Sequence, residues 1–550
     1  MCAFEQMTRR GGRFAVVFAP FVLAFCILFI FTLSGCEKVG AKTEEQARAS
    51  ESDILGYYQD LLTFPRSGPS YPDGIDDYLL EQAEILGVDA RGDARGNVVM
   101  RAAATAGMEE ARPLVLIAYT GADIINDRSK SFDPYTDGVR LEPSDENVRA
   151  EGTSMGADGA IGAATILAVL KRAVRHGDIT AYFAIGDGSA RAADALAPQE
   201  SGATADSFDV PEDAVVIEIG VSDTGVILTG APTATLLEAS CSAVAANAGN
   251  GRAYVIAASG FPSRPAGVGR GEDEDGYVNP ISIVARILTE TKSAGCVYGL
   301  SDFSGGSDAC LTPAEAQATV VLVDYEERQF RRIFDDIAEE AVAAAGGADG
   351  GAEVKMIETT LPSSVIGEDD VSKALTYIYG LMSIGTTESD DLAAVVNIGE
   401  ISLTPMSFDC GIAVVGHDAE NVKQAVSEQF AFERLSGVPV RATGEIPGFG
   451  GAYVSSDESA GGDAQRGMSA DASSTAGAAV ALGEAYLEAT GDDASYGVSD
   501  AVSPLGKYAG DATVLNIGIT VNDKETTGEQ FSKGEAAIPA NVILEYLTKL

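Results

Sequence analysis

Continuous apolar runs and amphipathic segments alternate along the first part of the chain. Three runs resemble strands that are buried on both faces, as in a parallel sheet: residues 113–118, 179–185 and 214–219. Between the first two, residues 161–176 repeat apolar side chains with a helical period, and Gly177 follows as a helix-ending residue. This alternation predicts an α/β fold with a mostly parallel sheet flanked by helices. Ligand sites in such folds form beyond the carboxyl ends of the strands.

The pattern changes between residues 228 and 443. Strand-like stretches become longer there, and amphipathic helices are predicted over residues 278–290, 326–345 and 420–435. The C-terminal part returns to the first style, with a strand predicted over residues 513–519. We therefore predict one α/β domain built from residues 53–227 and 444–550, and an inserted α+β domain over residues 228–443.

The N-terminus has the layout of an export signal. Residues 14–35 carry no charge and follow Arg9, Arg10 and Arg13. Their last three residues and Cys36 read Leu-Ser-Gly-Cys, which resembles a bacterial lipobox, whose cysteine thiol takes a diacylglycerol. The pattern predicts a lipoprotein signal peptide over 1–35, a lipid on Cys36, a tether over 36–52, and a body on the extracytoplasmic face of the cell membrane. The alternative is an uncleaved membrane helix, since about 20 apolar residues can span a bilayer.

Charge and composition exclude some functions. The chain has 37 Lys+Arg against 82 Asp+Glu, a formal net charge of −45. Nucleic-acid binding through a basic surface is therefore excluded. Apolar residues make up 46% of the chain, which is too many for a disordered acidic polymer. Only two histidines are present, His176 and His417, and this scarcity limits both metal and acid–base chemistry.

Four cysteines remain outside the predicted signal and anchor, and none forms a CxxC pair: Cys241, Cys296, Cys310 and Cys410. Their wide spacing argues against a zinc knuckle. Disulfides are allowed in an exported protein, and free buried thiols fit the sequence equally well. Catalysis by a serine, a histidine and an acid in α/β-hydrolase order is disfavoured, because no histidine follows His417.

Short segments along the chain occur in a recognisable order: ATAGME at 104–109, RPLVL at 112–116, EGTSMGAD at 151–158, DFSGG at 302–306, LTPAEA at 311–316, and NIG at 397–399 and 516–518. With them, residues 51–550 resemble the aminoacyl-histidine dipeptidases, which are relatives of the two-zinc amino- and carboxypeptidases. The resemblance implies a two-domain metallopeptidase-like fold, in which an α/β domain holds two metals and the inserted domain is a lid that closes over a dipeptide.

The family's metal centre is only partly represented in this sequence. Its chemistry needs two zinc ions, a bridging aspartate and a glutamate that takes a proton from water. The resemblance places the bridging aspartate at Asp158 and a shortened general base at Asp187. The C-terminal ligand histidine falls near Glu525. Positions where the family has further metal ligands hold residues that cannot replace them: Tyr119, Gly121, Gly188 and Gly220.

A metal site rebuilt from neighbouring acids would contain only oxygen ligands. Glu218 lies two residues before Gly220 and on the same strand face. The candidate ligands are Asp123, Asp158, Asp187, Glu218 and Glu525. Clustered carboxylates favour Mg²⁺, Ca²⁺ or Mn²⁺ over zinc. We expect no cofactor, and a hard divalent cation or zinc only if this set is assembled.

The leading hypothesis is a membrane-anchored lipoprotein with a dipeptidase-like fold that is catalytically silent and takes short peptides in its cleft. One alternative is a metal-dependent dipeptidase that hydrolyses short peptides of the Xaa-His type. A second alternative is a structural protein of the cell envelope. The membrane, through the lipid on Cys36, and a short peptide are the expected partners.

Overall fold

A computed structural model of the chain describes residues 48–550 apart from 67–70, 73, 123, 127–130, 145, 174, 187–209, 212, 267–277, 324, 346–350, 385–393, 451–474, 511 and 525. The predicted signal peptide and Cys36 lie outside the described residues. So do Asp123, Asp187, Gly188 and Glu525. Within the described part of the chain, no helix has both the length and the apolar character needed to cross a membrane.

Helices occur in every part of the described chain. They are α1 (Glu51–Leu62), α2 (Ile75–Leu86), α3 (Ile161–Arg172), α4 (Pro280–Ser293), α5 (Glu327–Ala344), α6 (Glu368–Ile384), α7 (Ala419–Ser436), α8 (Thr475–Thr490) and α9 (Ile538–Tyr546). Capping residues mark the ends of some of them. Ser50 and Asp53 form a capping box at the start of α1. Gly87 ends α2 in a left-handed conformation with φ of 72°.

The strands are β1 (Asp89–Gly92), β2 (Val98–Ala102), β3 (Leu114–Tyr119), β4 (Asn147–Arg149), β5 (Ile179–Ala184), β6 (Val215–Val221), β7 (Val226–Leu228), β8 (Thr233–Ser242), β9 (Ala245–Asn247), β10 (Arg252–Ser259), β11 (Tyr298–Gly306), β12 (Ala316–Leu322), β13 (Glu353–Thr359), β14 (Ser364–Ile366), β15 (Val395–Leu403), β16 (Ser407–Gly416), β17 (Val440–Ile446), β18 (Ser495–Gly497), β19 (Thr513–Ile519) and β20 (Gln530–Ser532). Two sheets of eight strands contain most of them.

The first sheet has the strand order β1-β2-β5-β3-β6-β19-β7-β18. Its centre, β5-β3-β6-β19, is parallel, and β1 and β2 add an antiparallel edge. Strand β19 comes from the C-terminal part of the chain and pairs with β6, so this part completes the sheet. The arrangement confirms the predicted α/β fold class.

Helix α3 packs directly against the parallel centre of this sheet. Every residue from Ile161 to Leu170 is buried. Close packing depends on small residues, because a Cβ at Gly162 would collide with the carbonyl oxygen of Ile219 on β6. The helix ends at Arg172, before His176, so the prediction of a helix up to residue 176 is wrong. The backbone leaves the helical conformation at Ala173, and Nδ1 of His176 lies 2.7 Å from the carbonyl oxygen of Gly177.

The second sheet is antiparallel and has the order β13-β10-β12-β11-β15-β16-β8-β17. Helices α4, α5, α6 and α7 contribute to the apolar core on one of its faces. All its strands lie between residues 233 and 446. The predicted domain boundaries at 227/228 and 443/444 stay a prediction. Strand β17 runs across the second boundary.

The chain passes from the first sheet to the second near Ala231 and leaves the second sheet near Phe449. These two crossings are hydrogen-bonded to each other. The backbone N–H of Ala231 donates to the carbonyl of Phe449 at 3.0 Å, and Phe449 donates back at 3.2 Å. The N–H of Gly448 donates to Oγ1 of Thr233 at 2.9 Å. A Cβ at Gly506 would collide with the carbonyl oxygen of Pro447. The second crossing therefore also packs on the segment between β18 and β19, two strands of the first sheet.

The four cysteines of the body are all free. Three of them are buried and Cys241 is half-buried. Burial raises the pKa of each thiol above its ordinary value. They therefore act as small apolar side chains rather than as nucleophiles or metal ligands.

Candidate functional site

The segment that follows β3 is fixed to the segment that follows β5. The N–H of Thr120 donates to Ala184 at 2.9 Å, and the N–H of Gly121 donates to Gly186 at 2.7 Å. Tyr71 closes the junction, because its hydroxyl lies 2.8 Å from Oγ1 of Thr120 and accepts from the N–H of Gly186 at 2.9 Å. The carboxyl ends of two central strands are therefore locked together by backbone groups.

There is no room for a side chain at this junction. A Cβ at Gly121 would lie 2.8 Å from the carbonyl oxygen of Gly186. A Cβ at Gly159 would in turn collide with the carbonyl oxygen of Gly121. The one-turn 3-10 helix Ala157–Gly159, of which Asp158 is the middle residue, thus packs backbone to backbone on the end of β3. The backbone of Gly159, the residue after Asp158, therefore lies against Gly121, and the metal-ligand role of Asp158 stays a prediction.

Glu529 holds the loop that leads into this one-turn helix. The residue is 2% exposed. Its carboxylate accepts three hydrogen bonds from consecutive backbone N–H groups, those of Met155 (2.8 Å), Gly156 (3.1 Å) and Ala157 (3.0 Å). These bonds satisfy the negative charge without solvent. Because they come from consecutive residues, they fix the backbone that presents Asp158.

Arg66 holds the same loop from its carbonyl side. The guanidinium group is buried and donates to the carbonyl oxygen of Gly156 at 2.7 Å and to that of Met155. The backbone carbonyl of Arg66 also accepts from Ala122, just after Gly121. Sequence reasoning missed Arg66, Glu529 and Tyr71. No sequence signal marks them, since one arginine or one acid among 82 reveals its burial only in the folded chain.

Glu218 lies on β6, at the centre of the parallel sheet. It is in register with Ile117 on β3 and with Asn516 on β19. The hydroxyl of Ser503 donates to its Oε2 at 3.3 Å. The residue is half-buried. Burial raises the pKa of this carboxyl from 4.5 to about 7, and hydrogen bonds from Asn516 and Ser503 act in the opposite direction.

The end of β6 beyond Glu218 is less crowded than the junction at Gly121 in the part of the chain that the structure describes. Gly220 is two residues further along β6 and on the same strand face. Among the described residues, a Cβ at this glycine would have no neighbour within 4 Å. A side chain at Gly220 would therefore meet no described residue, in contrast to the packed junction at Gly121.

Comparisons with known proteins agree with this architecture. A stretch of 134 residues is 34% identical to the cytosol non-specific dipeptidase of Escherichia coli K12, and it covers 23% of this chain and 26% of that protein. The chain thus matches about a quarter of the length of this curated relative. The crystal structure of aminoacylhistidine dipeptidase from Vibrio alginolyticus aligns with 92% of this chain and 98% of its own, with a TM-score of 0.53 and 17% identity. The chain resembles the dipeptidases in this stretch of sequence and in its fold.

No model of a known protein family matches this chain. Its resemblance to the dipeptidase branch is confirmed by the stretch of sequence identity and by the shared fold. The identity of 17% to the Vibrio structure shows the fold alone, and what the site does has to be argued from its own residues.

The described residues of the chain do not fit a two-zinc centre. Three ligand positions implied by the resemblance are described, and they hold a phenol and two glycines: Tyr119, Gly121 and Gly220. At Gly121 the backbone contacts leave no room for a carboxylate. In the part of the chain that the structure describes, no group of three or more His, Cys, Asp or Glu residues could hold a metal ion. Asp123, Asp187 and Glu525 lie outside the described residues, so the metal site with only oxygen ligands stays a prediction.

Proposed function

We propose that this protein binds short peptides without hydrolysing them, and that a lipid anchors it to the extracytoplasmic face of a bacterial membrane. The observation that carries the proposal is the packing of Gly121 against Gly186 and Gly159. A metal ligand at residue 121 would require the ends of β3 and β5 to separate. Zinc-dependent hydrolysis needs a ligand set that holds a metal and activates water.

A retained binding role is supported by the space beside Glu218. The packed junction and the open face at Gly220 lie at the ends of neighbouring strands. Crevices at the carboxyl ends of parallel strands are the usual ligand sites of α/β folds. Polar groups beside such a crevice favour the binding of a small polar molecule.

Binding and catalysis are separated by one set of measurements on the full chain purified in detergent. Calorimetry with a panel of dipeptides, including histidine-containing ones, is expected to show binding in the presence of a chelator. Incubation of the same dipeptides with protein and Zn²⁺, Mn²⁺ or Co²⁺ is expected to give no products. Chelator-sensitive turnover would overturn the proposal.

The alternative is a metal-dependent dipeptidase, which the sequence identity to the Escherichia coli dipeptidase favours. The backbone position of Asp158 also suits this alternative, because the loop before it is held from two sides. An active enzyme would lose its turnover on substitution of Asp158 by Asn, whereas a peptide-binding protein would show no turnover to lose.

The lipid anchor is proposed from residues 14–36. Expression in a bacterial host with labelled palmitate is expected to label the wild-type chain and not the variant Cys36→Ala. Labelling of both chains, or of neither, would contradict an anchor on Cys36.

A further inference from the structure

The parallel strands of the first sheet begin at one edge, which we call the amino edge. Its residues are the first ones of β3, β5, β6 and β19: Leu114, Ile179, Val215 and Thr513. The candidate site lies at the opposite edge, where these strands end. Helix α3 starts at the site edge, because Gly162 packs on Ile219 near the end of β6. The last residue of α3, Arg172, therefore lies at the amino edge.

Helix α1 starts at the amino edge as well. Its first turn contains Asp53, whose carboxylate lies 2.9 Å from the Lys171 ammonium and 2.7 Å from the Arg172 guanidinium. Lys171 and Arg172 are the last two residues of α3. The described chain thus enters the fold on the side opposite to the candidate site.

The other end of α1 leads directly to the candidate site. The carbonyl of Leu62, its last residue, accepts from the N–H of Val139 at 2.8 Å. Arg66 follows four residues later and donates to the carbonyl oxygen of Gly156, in the loop before Asp158. The helix has 12 residues and a length of about 18 Å. This length separates the entry of the chain from the site.

The residues just before α1 are fixed on helix α9. Ala49 is buried, and its N–H donates to Oδ1 of Asn541 at 2.9 Å. Nδ2 of Asn541 donates in turn to the carbonyl of Ala49 at 3.1 Å. Arg48 lies 4.0 Å from the carboxylate of Glu545, in the last turn of α9. Arg48 and Ala49 therefore stay on the entry side of the body.

The predicted lipid attachment is close to this entry point along the chain. Cys36 precedes Arg48 by 48 − 36 = 12 residues. Even a fully extended chain of this length spans at most about 43 Å. Exposed groups of both signs occur at the amino edge, such as Lys171 and Glu109. The attachment point, rather than a basic surface, therefore decides which side lies nearest to the lipid.

We propose that the amino edge of the first sheet faces the phospholipid headgroups and that the candidate site opens away from the membrane. This orientation rests on the proposed lipid anchor and adds the side from which a ligand approaches. The inverse orientation would require the 12 residues after Cys36 to run beside the body along the length of α1. The net charge of −45 also repels the rest of the body from anionic headgroups.

The test measures energy transfer from the two ends of α1 to the membrane. Glu51 at its start and Thr63 just after its end are both exposed. Glu51→Cys and Thr63→Cys are made separately in a Cys241→Ser background, because the other three described cysteines are buried. Each full, lipidated chain is labelled with a donor dye. It is then reconstituted into vesicles of phosphatidylcholine and phosphatidylglycerol that carry an acceptor dye on a headgroup.

The label at Glu51→Cys is expected to transfer at least about two-fold more energy than the label at Thr63→Cys, because α1 separates them by about 18 Å. Arg175→Cys, a second exposed position at the amino edge, is expected to behave like Glu51→Cys. Circular dichroism confirms that each variant is folded, and either amino-edge variant suffices for the comparison. The control is the same set of variants with Cys36→Ala, which should show no transfer to the vesicles.

Equal transfer from both ends of α1, or greater transfer from Thr63→Cys, would overturn the orientation and leave the lipid anchor standing. Equal transfer with and without Cys36→Ala would overturn the lipid anchor and the orientation with it. Peptide binding is measured separately by calorimetry, so its failure is distinguishable from both of these outcomes.

Discussion

The carboxylate of Glu529 accepts a 2.8 Å hydrogen bond from the backbone N–H of Met155, across 374 residues of sequence. Two further bonds join the same carboxylate to the next two N–H groups. This contact ties the C-terminal part of the chain to the loop that presents Asp158. The C-terminal part therefore both completes the sheet through β19 and positions the candidate site.

Replacing Glu529 by Ala should destabilise the protein strongly. Three backbone N–H groups, two of them in buried hydrogen bonds, would lose a charged acceptor, and we expect the free energy of unfolding to fall by about 3 kcal/mol or more. Urea unfolding followed by circular dichroism measures the change. The exposed Glu84, changed to Ala, is the control and should shift the value by less than about 0.5 kcal/mol. A loss below about 1 kcal/mol at Glu529 would show that the loop does not depend on this contact.

Gly159 and Gly220 provide a matched pair for the packing at the strand ends. Gly159→Ala should lower the free energy of unfolding by about 2 kcal/mol or more, because its Cβ would collide with the carbonyl oxygen of Gly121. Gly220→Ala should be close to neutral, since nothing lies within 4 Å of the added carbon. Thermal unfolding of the two variants compares them directly. Similar melting temperatures would contradict the contrast between a packed junction and an open face.

Asp53 should stabilise the fold more at neutral pH than in acid. Burial opposes its charge, but hydrogen bonds from Lys171, Ser50 and Arg172 outweigh burial and hold its pKa well below the ordinary 3.8. Its carboxylate lies 2.9 Å from the Lys171 ammonium and 2.7 Å from the Arg172 guanidinium. As the pH falls, the unfolded chain therefore takes up a proton at Asp53 before the folded protein does. The stabilisation is present above about pH 4 and is lost below it.

The comparison of wild type with Asp53→Asn checks this dependence. The difference in the free energy of unfolding should be about 1–3 kcal/mol at pH 7 and should shrink as the pH falls below 4. A difference that does not change with pH would mean that Asp53 contributes through shape alone.

Glu218 should show the opposite dependence. Its folded-state pKa of about 7 lies above the ordinary 4.5, so the folded protein holds the proton more tightly than the unfolded chain. Stability should fall as the pH rises from about 4.5 to 7, by about 3 kcal/mol in total, and then level off. The variant Glu218→Gln lacks this titration. Unfolding measured at a series of pH values should therefore show a growing advantage of Glu218→Gln over wild type, and no growth would contradict the raised pKa.

The elements of the fold could be predicted more completely than the site. The strand predicted over residues 513–519 matches β19, and each of the apolar runs over residues 113–118, 179–185 and 214–219 overlaps a central strand. These elements follow from local periodicity. The predicted helix extends beyond the observed end of α3, because residues 173–176 continue the apolar pattern. The backbone leaves the helical conformation at Ala173.

For the site, sequence placed Glu218 on the face of Gly220 through the two-residue period of a strand. It also placed Asp158 at the family's bridging position. It did not reveal the contacts of Glu529, Arg66 or Tyr71, because those contacts join residues that are far apart in the chain. Nor did it reveal that Asn516 lies beside Glu218, which depends on the register between β6 and β19.

The sequence alone determined the alternation of strands and helices, the acidic charge and the kinds of side chain at each resembling position, because these are local properties of the chain. Only the tertiary structure decided that Gly121 has no space and Gly220 has space. Both are glycines at strand ends, and whether a Cβ would fit depends on which distant backbone packs against each. That difference separates the packed junction beside Asp158 from the open face beside Glu218.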